Sequence, residues 1–133
     1  MSLLQALDFD RATERRLIRS WRQGNSSNGA RVVQALITYE DGQTLRPIIR
    51  LGMDTERASR PVRAHLQWRG SGSLRVPSKA AGALNANATD RAYTRWDWRN
   101  PRPEVAIQQI RFAVVAPGVQ WQVLGATAWQ SPK

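Results

Sequence analysis

The sequence predicts an all-β protein, an antiparallel β-sandwich with either a short helix or a strand at its N-terminus. Three observations carry this reading. Short segments rich in β-branched and aromatic residues alternate apolar with polar side chains. Clusters of Gly, Pro, Asn and Asp punctuate those segments. At 133 residues the chain has the size of one domain. A domain of that size buries roughly two-thirds of its unfolded surface, so one core needs neither a metal nor a disulfide.

Residues 1–22 read as an N-terminal segment that packs on the domain or on a partner, and residues 23–133 as the sandwich. Leu3, Leu4 and Leu7 have helical spacing. Asp10 is placed to cap a helical stretch carrying Leu17, Ile18 and Trp21, although Arg15 to Trp21 also fits a short strand. Gly24 to Gly29 is a loop. Arg31 to Tyr39 is a strand with Val33, Ala35, Ile37 and Tyr39 on one face. Asp41-Gly42 is a hairpin turn, and Leu45 to Leu51 returns as its partner. Pro47 marks an edge or bulged position there, because proline donates no ladder hydrogen bond. Ala64 to Trp68 alternates as a half-buried strand, and residues 70–90 read as a long loop. Arg91 to Trp98 is a strand, Asn100-Pro101-Arg102-Pro103 a rigid connection, and Val105 to Val115 and Val119 to Ala128 two further strands around Pro117-Gly118.

The proline connection has a direct physical reading. Asn100 hydrogen-bonds backbone two residues on. Pro101 and Pro103 fix φ and forbid sheet pairing. In a regular strand Ile107 and Ile110 fall on opposite faces, whereas a bulge between them turns both inward. These are roles in folding.

The stretch from Trp98 through Asn100-Pro101-x-Pro103 to Ile107 and Ile110 resembles the closing segment of a jelly-roll, galactose-binding-like accessory module of large bacterial multidomain proteins. Tyr39, Asp41 and Gly42, then Pro47-Ile48-Ile49 and Gly52, resemble that module's hairpin. Leu124-Gly125-Ala126-Thr127-Ala128 resembles its final strand. The resemblance spans about residues 12–129 and implies a jelly-roll-like topology and carbohydrate binding. The family module carries about as much chain again upstream, so either the fold closes differently here or strands of the module are missing.

Composition narrows the chemistry. The chain has no cysteine, which removes disulfides and zinc–thiolate sites. Its only histidine, His65, reads as a surface residue on a strand, without the second ligand a zinc site needs. Asp54/Glu56 and Asp97/Glu104 can be nominated as carboxylate pairs, but nothing selects them for acid–base work. No nucleophile elbow or Walker loop occurs. No enzyme activity, cofactor or metal is expected. No apolar run reaches membrane-span length and the N-terminus lacks a signal-peptide pattern, so the expectation is a soluble chain without a membrane partner.

The net charge is +10, and all basic residues except Lys79 and Lys133 are arginine. That charge admits a nucleic-acid partner. The arginines are scattered, however, with no run longer than Arg15-Arg16. Six tryptophans stand at 21, 68, 96, 98, 121 and 129, several beside arginine. Because adjacent strand residues point to opposite faces, such dipeptides read as tryptophan inward and arginine outward. Trp21, Trp121, Trp129, Arg95, Arg99 and Arg102 remain candidate interaction residues. The expected function is an interaction or structural module that forms a homo-oligomer or binds a partner protein through strand edges and aromatic faces. A carbohydrate-binding accessory module, and a charge-driven nucleic-acid-binding or virion-type structural protein, are the alternatives.

Overall fold

The computed structural model describes residues 1–23, 29–58, 73–76 and 91–128. The expected strand over 64–68, His65, Trp68 and Trp129 lie outside them. The described residues form two antiparallel sheets and one helix. The first sheet has the order β5 (Ser73–Val76), β6 (Arg91–Asp97), β1 (Ser2–Asp8), β8 (Gln120–Thr127). In the second, β2 (Ala30–Tyr39) pairs on one side with β3 (Thr44–Leu45) and β4 (Ile48–Leu51), and with β7 (Ile107–Val114). The all-β sandwich predicted from the sequence is therefore what the chain forms.

The N-terminus is strand first and helix second. Leu3, Leu4 and Leu7 belong to β1, not to a helix. This strand is flanked by β6 and β8, and both of its faces are covered. Leu3, Gln5 and Leu7 enter the main core, while Ala6 packs with Ala58 and Tyr93 on the opposite face. A strand buried on both faces needs a nearly continuous apolar run, and such a run hides its period of two. Helix α1 (Arg11–Gln23) follows. Asp10 caps it: its side chain accepts the Thr13 amide at 2.8 Å and its carbonyl accepts that of Glu14 at 3.0 Å. The Thr13 hydrogen bonds hold the Asp10 carboxyl below the usual aspartate range. Leu17 inserts from α1 into the main core beside Val32, Val33, Ile49, Leu51 and Trp96, with Ile18 packed against it.

Val33, Ala35, Ile37 and Tyr39 share the inward face of β2, each fully buried. The Asp41-Gly42 hairpin has a three-residue loop: Tyr39 N donates to Gln43 O at 2.9 Å, and Gly42 N closes the turn on Tyr39 O. Gly42 takes φ 84°. Pro47 interrupts the return strand, so the expected single partner strand is split into β3 and β4. Its carbonyl still accepts the Ala35 amide at 2.9 Å. A bulge sits in β7: Thr38 pairs with Gln109, but Tyr39 pairs with Ile107. Gln108 is the extra residue. Ile107 and Ile110 thus stand opposite Tyr39 and Ile37, on the inward face together. Within the expected loop over 70–90, Ser73–Val76 is instead a strand paired with β6.

Candidate interaction surface

The two motifs behind the family resemblance meet in space. Tyr39 donates its phenol hydrogen to Asn100 Oδ1 at 2.6 Å. The same oxygen accepts the Arg102 amide at 2.9 Å, and Asn100 Nδ2 returns a 3.2 Å bond to Arg102 O. The Arg102 guanidinium then reaches back over the Tyr39 ring, 4.7 Å from its centroid, and grips Asp41 at 2.5 and 3.3 Å. The bond from Arg102 holds the Asp41 carboxyl below its usual range, helped by the Gln43 amide. Burial raises the Tyr39 phenol. Every group has a protein partner, so this cluster closes the fold. Arg102, an interaction candidate from sequence, is spent on it.

A second polar cluster ties the two sheets together. Gln5 is fully buried. Its Oε1 accepts from Thr55 Oγ1 at 2.6 Å and from Trp121 Nε1 at 3.1 Å, and its Nε2 donates to Asp54 O at 3.1 Å. Trp121 also packs against Phe112 at 5.1 Å between ring centroids. It is a half-buried wall of the core, and its indole donor is committed inward.

The remaining candidates separate widely. Arg95 is exposed and paired with Asp97 at 3.2 Å. Arg99 is exposed on the connection after β6, and Trp98 packs against the core. Trp21 lies in α1, its side chain outside the described set. The nominated carboxylates do not converge on a cleft. Asp54 is buried and accepts the Arg50 amide at 2.9 Å, and Glu56 is buried and accepts the Arg57 amide at 3.1 Å. Glu104 is exposed, and Asp97 accepts from Arg95 and Ser2. A depression of about 250 Å³ on the second sheet is lined, among the described residues, by Arg31, Gln34, Ile48 and Val115.

What stands out is one flank. Among the described residues, β7 pairs only with β2 and β8 only with β1. The rings of Phe112 on β7 and Trp121 on β8 meet between these two strands. Among the described residues the exposed large apolar ones are Val114, Val115, Val123 and Leu124, all on or beside these strands. Two of them face inward by register. Val114 is opposite Val33, and Val123 is opposite Gln5. Directly opposed residues share a face. Yet Val33 and Gln5 are fully buried, while Val114 and Val123 are 43% and 42% exposed. The core is open here. Leu124 is the extra residue of a bulge against β1 and is 52% exposed.

The signal that marks this flank in the sequence is an absence. From Phe112 to Pro132 no residue carries a charge, in a chain where 23% of residues do. Edge strands are ordinarily guarded by charge, most often lysine. Reading the residues that are present, tryptophan and arginine, passes over this gap.

Comparison with family models, with curated proteins and with solved structures finds no match to this chain.

Proposed function

We propose that this chain is a non-enzymatic structural module that pairs with a second copy of itself along β8, covering the aliphatic side chains of β7 and β8. The observation that carries this reading is the exposure of Val114 and Val123, whose cross-strand partners are fully buried. An edge strand offers unpaired N–H and C=O groups, and an added antiparallel strand satisfies them. Two features favour a copy of the chain as occupant. Bodies of charge +10 repel each other least where they meet through uncharged surface, and β8 carries no charged residue. An antiparallel strand is also self-complementary under a two-fold axis, so one edge serves both partners. The bulge at Leu124 interrupts the ladder, which leaves Gln120 to Val123 as the regular pairing stretch.

The chain has no cysteine, so single cysteines report without background. Gln120→Cys, Gln122→Cys, Leu124→Cys and Ala126→Cys are each oxidised, with Glu104→Cys as the control. Self-pairing predicts intermolecular disulfides that peak at one β8 position and fall away on either side. Crosslinking no greater than at Glu104→Cys refutes it.

A further inference from the structure

Three of the eighteen arginines of the chain line one face of α1. Arg11, Arg15 and Arg19 recur every fourth residue and are all exposed. At 1.5 Å rise per residue, their Cα atoms step by about 6 Å along one stripe of the helix. Thr13 and Leu17 are buried and mark the opposite face, which packs on the core.

The neighbours of the stripe leave its charge uncompensated. Glu14, the only carboxylate in the helix, lies nearer the core and pairs with Arg57 at 3.1 Å. Arg16 turns away to donate to the Pro117 carbonyl. Among the described residues, no ion pair is made by Arg11, Arg15 or Arg19. Of the described large apolar side chains of the helix, Leu17 is buried in the core and Ile18 packs against it.

We infer that the exposed face of α1 binds a nucleic-acid backbone, its guanidinium row tracking successive phosphates without reading bases. Guanidinium donates two parallel bonds to a phosphate, so arginine suits that partner better than a point charge does. A straight row of like charges matches a linear polyanion of regular charge spacing, whereas an acidic protein offers carboxylates in irregular array. The inference stands apart from self-pairing, because α1 and β8 use different residues.

The test is fluorescence anisotropy with labelled 20-nucleotide single-stranded DNA, the corresponding duplex, and poly-glutamate as a competing polyanion, over a salt series. The proteins are the wild type, an Arg11→Gln/Arg15→Gln/Arg19→Gln variant, and an Arg46→Gln/Arg99→Gln/Arg111→Gln variant. Both variants carry +7, from +10 less three, and all six arginines are exposed. The expected result is DNA binding that weakens with salt, at least tenfold loss in the helix variant, and a slope of log K against log salt smaller by about 2 to 3. The control variant should stay within about threefold of wild type. Equal loss in both variants, absence of DNA binding, or tighter binding of poly-glutamate than of DNA overturns the inference. Light scattering on each variant keeps this outcome separate from the fate of self-pairing.

Discussion

The phenol of Tyr39 donates a 2.6 Å hydrogen bond to Asn100 Oδ1, joining the end of β2 to the proline connection 61 residues later. That oxygen also orders the backbone of Arg102, whose guanidinium returns to Asp41 and to the Tyr39 ring. Through this loop of contacts, the hairpin and the entry to β7 are fixed by each other. Asn100→Ala removes all three of its bonds and is expected to cost about 2 kcal/mol, while Tyr39→Phe costs about 1 kcal/mol. Urea denaturation of both single variants and the double variant should give a coupling of at least about 0.5 kcal/mol. Additive losses would show that the two side chains act independently.

The Asp41–Arg102 contact makes a pH prediction. The folded protein depresses the Asp41 carboxyl below its ordinary 3.8. Its contribution is therefore present above that value and lost as the pH falls through the depressed one. Asp41→Asn should lower the urea midpoint at pH 7, and the gap from wild type should close below about pH 4. A gap that persists unchanged at pH 2 would place the effect in the turn rather than in the charge.

Gln5→Leu tests the buried cluster. It leaves the Thr55 hydroxyl, the Trp121 indole N–H and the Asp54 carbonyl without their partner. The expected destabilisation is about 3 kcal/mol, since an unsatisfied buried group costs far more than a hydrogen bond contributes net. Trp121 fluorescence should shift in the native state of the same variant. A neutral substitution would mean that water or a neighbour takes over the contacts.

Two glycines separate backbone strain from crowding. Gly42 has φ 84° with nothing within 4 Å of an added Cβ, whereas Gly29 has φ 67° and its Cβ would stand 2.2 Å from the Leu51 carbonyl oxygen. Gly42→Ala should cost about 1 to 2 kcal/mol, the left-handed penalty alone. Gly29→Ala should cost clearly more, about 3 kcal/mol or above, because a paired strand must shift. Equal losses by thermal melting would contradict the close approach at Gly29.

How far the sequence discloses this molecule differs from element to element. β2 is legible because one of its faces is buried and the alternation is clean. The paired isoleucines are legible only conditionally: Ile107 and Ile110 demand a bulge to turn both inward, and Gln108 supplies it. β1 is misleading, because a strand covered on both faces loses its alternation and Leu3, Leu4 and Leu7 then mimic a helical spacing. The candidate surfaces are harder still. Trp121 and Arg102 attract notice by residue type, yet both are committed to internal contacts. The open flank is defined by missing charge and by which strands have a single neighbour among the described residues, and the latter is a property of topology. The α1 stripe escapes a search for charge runs because the helical period spaces its arginines four apart.

The most direct test of the central claim is the absolute mass of the purified protein by light scattering, at physiological salt and at 1 M salt. Pairing along β8 predicts a discrete multimer of the 15.0 kDa chain at both salts, and a monomer for Val123→Lys/Leu124→Lys. A 15.0 kDa species for the wild type at both salts, or a multimer that high salt dissolves, would contradict it.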